Sequence, residues 1–300
     1  MRTDRVLITF ALALLLGTTA ATQDVFVTLC RSHFTVTDPQ GHVVTNLRRE
    51  DITVYDDDVP QRIESFMPHV AAPLHVALLI DRSQSVGDRF GMLSAAAAGF
   101  EQSMLRGPDD RGLLVAFDSK AYLLQDWTSD GAKLAGSIRS LTSAGGTSMF
   151  DAVYKTSRDK FEIGESHQNV LVLVTDGEDT TSTATLDQAL EMATMSRAVV
   201  YVVGVKAENS MNTRELQGRQ VLTRLAELTG GRVFYPDAND DLSTLFERVE
   251  EEVRSAYGIT YYLDRAPDNA FHRIRIETRD KRLTVHAPTG YVARRLVVNK

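Results

Sequence analysis

The chain has 300 residues, 43% of them hydrophobic and 24% charged, which is material for one large domain or two modest ones with a true core. A formal net charge of −7 and the lack of a long basic run argue against a nucleic-acid partner, which needs a basic face. A single cysteine, Cys30, rules out an intramolecular disulfide and reads as a small buried hydrophobe.

The first segment has three parts. Arg2 and Arg5 precede the apolar run Val6 to Gly17, and small residues follow through Ala20 and Ala21. This is the layout of a secretory signal, expected over residues 1–21 with cleavage after Ala21, and it implies an exported protein, periplasmic or extracellular. The alternative is an uncleaved membrane anchor, but the run is short of the ~20 apolar residues a spanning helix needs.

Residues 24–70 read as β-structure. DVFVTL and FTVT alternate as half-buried strands do, DPQG is a turn, and ITVY and RIESF follow. Asp56, Asp57 and Asp58 lack the glycine and distal glutamate of a calcium loop, so they are expected to form a solvated hairpin turn.

From residue 74 the texture changes. HVALLI is a continuous apolar strand of the kind buried on both faces. A helix is expected over Phe90 to Leu105, then strands LLVAF and AYLLQDW joined by a short turn. Helices at Ala132 to Leu141 and Met149 to Phe161 flank the loop SAGGTS. The buried strand NVLVLVT ends in DGED. Helix Leu186 to Arg197, strand AVVYVVGV, helix Arg214 to Leu228 and the short strand RVFY follow. Gly230 and Gly231 stop the second of these helices. Leu242 to Ala256 is amphipathic, with Leu242, Leu245, Phe246, Val249 and Val253 on one face. The last residues return to strands: YGITYYL, HRIRIET, RLTVHA and GYVARRLVV.

Alternating strands and helices predict an α/β fold: a doubly wound, mostly parallel six-stranded sheet with LLVAF–AYLLQDW supplying one antiparallel edge strand. The flanks, 24–70 and 257–296, each hold too few strands to bury a sheet alone. They are expected to pair into one small β-domain, with the α/β domain, 74–254, between its halves.

Ligands of parallel sheets bind beyond the carboxyl ends of the strands. Three loops fall there: Asp81-Arg-Ser83-Gln-Ser85, Gly145-Gly146-Thr147-Ser148 and Thr175-Asp176-Gly177-Glu178-Asp179. Their groups are all oxygen: the carboxylates of Asp81 and Asp176 and the hydroxyls of Ser83, Ser85 and Thr147. Few carboxylates with neutral oxygens suit a hard divalent cation, Mg²⁺ above all, and no His or Cys stands nearby for a softer metal. Each loop alone has a bland reading as a helix cap or turn. Three in the right order favour the metal.

Together these motifs resemble the metal-ion-dependent adhesion site of the von Willebrand factor type A domain, over roughly residues 74–254. The resemblance implies that Asp81, Ser83, Ser85, Thr147 and Asp176 ligate Mg²⁺ or Mn²⁺, some through water, and that a protein partner supplies an Asp or Glu. The flanks resemble those of exported bacterial proteins of the acidobacterial "VWFA-related" type. A metal-dependent protein-binding module is therefore expected, not an enzyme. One rival is a structural assembly protein whose metal stabilises the fold, with Tyr257, Tyr261 and Tyr262 at an interface or, by the blander reading, in strand packing. The other is a phosphohydrolase using Asp81 as nucleophile, although Ser83 stands where its acid/base carboxylate belongs and His167, at the far end of its strand, reads as a surface residue. Oligomeric state and partner identity are not legible. A membrane enters only if the first segment stays uncleaved.

Overall fold

A computed structural model describes residues 28–70, 72–84, 86, 90–162, 167–205, 213–236, 241–263 and 266–293. The expected signal segment and Ser85 lie outside these residues. In chain order the elements are β1 (Thr28–Thr37), β2 (Ile52–Asp56), β3 (Val59–Gln61), β4 (Ile63–Met67), β5 (Leu74–Asp81), α1 (Phe90–Met104), β6 (Arg111–Phe117), β7 (Ala121–Thr128), α2 (Gly131–Arg139) and α3 (Met149–Asp159). There follow β8 (Gln168–Thr175), α4 (Leu186–Met195), β9 (Val199–Gly204), α5 (Thr213–Thr229), β10 (Val233–Phe234), α6 (Leu242–Arg254), β11 (Tyr257–Leu263), β12 (Phe271–Thr278), β13 (Thr284–His286) and β14 (Gly290–Val292). Among the described residues no helix is long and apolar enough to cross a membrane.

The central sheet has the order β10-β9-β8-β5-β6-β7 and is parallel except for β7, which pairs antiparallel with β6 at the edge. The apolar run of β5 explains its central place, since every residue but His75 is buried. Its side chains alternate between two cores. Val76, Leu78 and Ile80 join residues of α1, α2 and α6 on one face. Ala77 and Leu79 join residues of α3, α4 and α5 on the other. The sheet is thus doubly wound, with three helices on each side, and all five apolar positions read on α6 are buried.

Local sequence fixes the helix starts. Asp130 caps α2, accepting the N–H groups of Ala132 and Lys133. Thr185 and Gln188 form a capping box on α4. Asp241 caps α6 through Ser243 N–H.

The flanks form two antiparallel sheets, β13-β1-β11-β4 and β14-β12-β2-β3, each mixing strands from both ends of the chain. They share one core, in which Phe34, Val36, Val54, Tyr257, Tyr261 and Ile276 meet. Cys30 is buried there, as expected. Tyr257 and Tyr261 pack inside, whereas Tyr262 is half exposed because it points to the other face of β11. Two segments differ from the sequence reading. FTVT is only the end of a ten-residue strand, β1, which pairs with β11 over Thr28 to Phe34 and with β13 over Thr35 to Thr37. Val59–Gln61 is an additional strand, because Asp57 and Asp58 turn the chain sharply. Both have positive φ, +46° and +63°, between the paired residues Asp56 and Val59, the geometry of a two-residue hairpin.

The chain leaves the flank sheets through β4 and returns through β11, and these two strands pair with each other. Val70 N–H bonds the Ala256 carbonyl at 3.0 Å, closing the neck. A buried ion pair ties the parts together. Glu252 of α6 accepts from Arg232 beside β10 (2.7 Å) and from the Thr35 hydroxyl of β1 (3.0 Å).

Candidate metal centre

β5 and β8 are neighbours in register, with Ile80 opposite Val174, so their last residues Asp81 and Thr175 lie side by side at the carboxyl edge. The Thr175 hydroxyl donates to Asp81 Oδ2 at 2.6 Å. Ser83 N–H donates to Asp81 Oδ1 at 2.8 Å, folding the chain back over the strand end. Arg82, between them, turns outward. Its guanidinium pairs with Asp118 at 2.5 Å and lies 5.3 Å over the Tyr122 ring.

The middle loop bridges the other two. Ala144 N–H bonds the Arg82 carbonyl (2.7 Å), and the Ser143 hydroxyl bonds the Ser83 carbonyl (3.1 Å). On its other side the Thr147 carbonyl accepts the N–H groups of Thr180 (2.9 Å) and Thr181 (3.0 Å), while Thr147 N–H donates to Thr180 Oγ1 (3.0 Å). Glycine is required at the ends of this arrangement. Gly145 has φ +71°, and a Cβ there would meet Ser119 Oγ at 2.9 Å. Gly177 has φ +88°, with the Gly218 backbone 2.9 Å from where its Cβ would be.

Helix capping does not account for the hydroxyls of the GGTS loop. Ser148 occupies the N-cap of α3 but makes no capping bond, and its buried Oγ has no hydrogen-bond partner among the described residues. The first N–H groups of α3 are satisfied from the third loop instead: Phe150 by Asp179 Oδ2 (2.9 Å) and Asp151 by Ser182 Oγ (3.0 Å). Asp151 in turn accepts from Thr183 and Ala184 N–H and from Lys155. These contacts hold its carboxyl below the ordinary range, although burial opposes them.

Asp81, Ser83, Thr147 and Asp176 therefore come to one edge of the sheet, each 6% exposed or less. Ser85 lies outside the described residues. The donor set fits a hard cation: it is all oxygen, and its carboxylates strain against each other without one. Burial raises the Asp81 carboxyl to about 6. Hydrogen bonds from Ser83 and Thr175 oppose the rise, and the charge of Asp176 adds to it. A divalent ion beside this pair would remove the penalty.

Sequence reasoning placed Thr175 and Asp179 in the third loop without assigning them a role and missed Thr180; all three position the ligand candidates without joining them. Thr175 directly precedes Asp176, and the run of acids and hydroxyls from Asp176 to Thr185 was their only visible signal. His167 is not a plain surface residue. It is partly buried, and its ring stacks on His75 at 3.8 Å. That pair lies at the opposite end of the sheet, beside a cavity of about 90 Å³ between the flank sheets and the starts of β8 and β9. His33 in the wall of this cavity is driven down to about 4 by burial and by the nearby Arg31 and Arg197.

Residues 76–178 match the family model of the von Willebrand factor type A domain. No curated protein matches the sequence. Among solved structures, a von Willebrand factor type A protein from Catenulispora acidiphila is 13% identical with a TM-score of 0.52, covering 93% of this chain and 75% of that one. This likeness of fold extends over the flanks. Proximal thread matrix protein 1 of the mussel byssus, in a form with a zinc-occupied MIDAS motif, is 17% identical with a TM-score of 0.54, over 66% of this chain and 50% of that one. The PilB minor pilin of Streptococcus sanguinis is 14% identical with a TM-score of 0.50, over 61% and 62%.

Proposed function

We propose that the chain is an exported protein-binding module whose type A domain holds Mg²⁺ or Mn²⁺ through Asp81, Ser83, Ser85, Thr147 and Asp176. The bound ion would supply a Lewis-acidic position for an Asp or Glu of a partner protein. One observation carries this reading: three loops distant in sequence are cross-tied so that two carboxylates and the hydroxyl-bearing residues Ser83 and Thr147 share one strand edge. Helix-capping duties pass to Asp179 and Ser182, which frees the GGTS loop for another use. The zinc held by the MIDAS motif of the mussel thread protein supports a divalent ion here, with Mg²⁺ preferred because every donor is a hard oxygen.

In the same proposal, residues 1–21 are a signal peptide, 24–70 and 257–296 are the halves of a β-domain, and 74–254 form the type A domain, as in exported "VWFA-related" bacterial proteins. Export also agrees with relatives in fold that are a pilin and a byssus protein. Binding is favoured over hydrolysis because Ser83 replaces the acid/base carboxylate that an aspartate-nucleophile phosphohydrolase needs two residues on.

Isothermal titration of Mg²⁺ and Mn²⁺ into the chelated protein tests the centre. Saturable binding in the wild type and its loss in Asp81→Ala are expected. No saturable binding in the wild type would sink the proposal. The deep burial of the donors favours one rival, a purely fold-stabilising ion. For that rival, chelation lowers the melting temperature and leaves association with carboxylate-bearing proteins unchanged.

A further inference from the structure

The open edge of the central sheet is apolar next to the candidate centre. β7 is the last strand, and among the described residues no strand pairs with its outer side. Tyr122, Leu123 and Leu124 are consecutive and 40%, 45% and 40% exposed, so side chains on both faces of this stretch reach solvent, although Ala121 and Trp127 pack against the core. Natural edge strands usually carry charges, prolines or bulges against unwanted pairing. β7 has two pairing irregularities, one of them at Leu124, which is skipped between Leu123 opposite Val115 and Gln125 opposite Leu114. Its upper half is regular, with Ala121, Tyr122 and Leu123 opposite Phe117, Ala116 and Val115. The stretch free of bulges, Ala121 to Leu123, is thus the one beside the centre, and Leu124 marks its end. The two are continuous, because Asp81, Phe117 and Ala121 form one row across the sheet and Arg82 reaches from the first loop onto the Tyr122 ring. Lys120, exposed in the β6–β7 turn and without an ion pair among the described residues, adds positive charge to this rim.

We propose that the partner presents an extended segment that adds an antiparallel strand to the outer edge of β7, seats apolar side chains on Tyr122, Leu123 and Leu124, and carries an Asp or Glu a few residues beyond the strand's C-terminal end. This rests on the metal reading above and specifies its partner. Antiparallel addition is the more stable pairing, and it sends the added strand toward the carboxyl edge. Strands lie about 4.8 Å apart, so the added strand would run about 14 Å from Asp81. Three or four residues at about 3.3 Å each, plus the acidic side chain, span that gap. Lys120 lies along the route and complements the acid, whereas the Arg82 charge is already met by Asp118. Apolar contacts on the edge strand supply affinity, and the carboxylate at the ion supplies register.

The probe is a fluorescein-labelled peptide of three Thr-Val repeats followed by Gly-Ser-Gly-Asp, titrated by anisotropy against the full chain in saturating Mg²⁺. Binding is expected, weakened about tenfold or more by Leu123→Lys combined with Leu124→Lys, by a terminal Asn in the peptide, and by chelation. The double variant should keep its Mg²⁺ affinity and circular dichroism spectrum, since both side chains are exposed. Equal binding to wild type and double variant, or no binding at all, overturns the edge strand as the docking surface. If binding is equal and chelation still weakens it, the metal reading stands. Loss in the double variant with indifference to chelation and to the terminal Asn breaks the link to the ion, and with it this proposal. Sedimentation of the wild type as a dimer that the double variant abolishes assigns the edge to a second copy and overturns it too.

Discussion

Replacing Glu101 by glutamine isolates the cost of one buried carboxylate. Glu101 sits on α1, fully buried, and neither carboxylate oxygen has a hydrogen-bond partner among the described residues. It lies over Gly112, where an added Cβ would come within 2.8 Å of Oε2 and 2.5 Å of Leu134. Burial pushes its carboxyl up from 4.5 to about 8, and no ion pair among the described residues offsets it. The unfolded chain releases this proton near its ordinary value, whereas the folded chain keeps it until about pH 8. Stability is therefore undiminished below pH 4.5 and falls as pH rises through the window between the two values. Each pH unit in that window costs about 1.4 kcal/mol, so the penalty is about 3 kcal/mol at pH 7 and larger at pH 8. Glutamine copies the shape and neutrality of the protonated acid and does not ionise. Urea unfolding of wild type and Glu101→Gln at pH 5, 7 and 8.5 reads the difference. The two should agree within about 1 kcal/mol at pH 5, with the variant more stable by about 3 kcal/mol at pH 7 and by more at pH 8.5. In thermal unfolding the pH 7 gain corresponds to a melting temperature higher by about 5 °C. A difference that does not change with pH would refute the reasoning, because it would mean the folded carboxyl ionises as readily as the unfolded one.

Removing one member of the buried ion pair, by Glu252→Ala, strands Arg232 and should cost about 3–5 kcal/mol in the same assay. The exposed pair Arg224–Asp187 should cost less than about 1 kcal/mol when Arg224 is truncated. Thr175→Val removes the hydroxyl that orients Asp81 while keeping the volume, and should weaken Mg²⁺ binding about tenfold or more by calorimetry. Gly177→Ala forces a side chain into a left-handed backbone and against Gly218. It should lower the unfolding free energy by more than about 1 kcal/mol and weaken Mg²⁺ binding with it.

Much of the fold could be read from pattern because its determinants are local. The five apolar residues of α6 recur at helical spacing, and all are buried. The run Val76 to Ile80 has no polar side and so belongs in the middle of a sheet. Asp57 and Asp58 are turn residues wherever they stand between two short strands. The short strand β3 escaped because Val59, Pro60 and Gln61 carry no alternation, and only the hairpin geometry pairs them with β2. His167 escaped because its neighbour, His75, is far away in sequence and adjacent only through the β5–β8 register.

The candidate centre divides in the same way. Asp81 and Asp176 were legible because each ends an apolar run, and strand ends in a parallel sheet share one edge. The supporting groups were not. That Thr175 faces Asp81, that Asp179 caps α3 and that Ser148 does not are consequences of register and loop packing. By itself the sequence determined the elements, their order, the apolar faces and the oxygen-bearing loops, since these depend on residue type and on spacing within a few positions. Only the tertiary structure decided that the two ends of the chain interleave into two sheets around one core, that Glu101 is buried without a partner, and that an exposed apolar edge adjoins the candidate centre. Each of these depends on contacts between residues far apart in the chain, and no local pattern records which distant segment will arrive alongside.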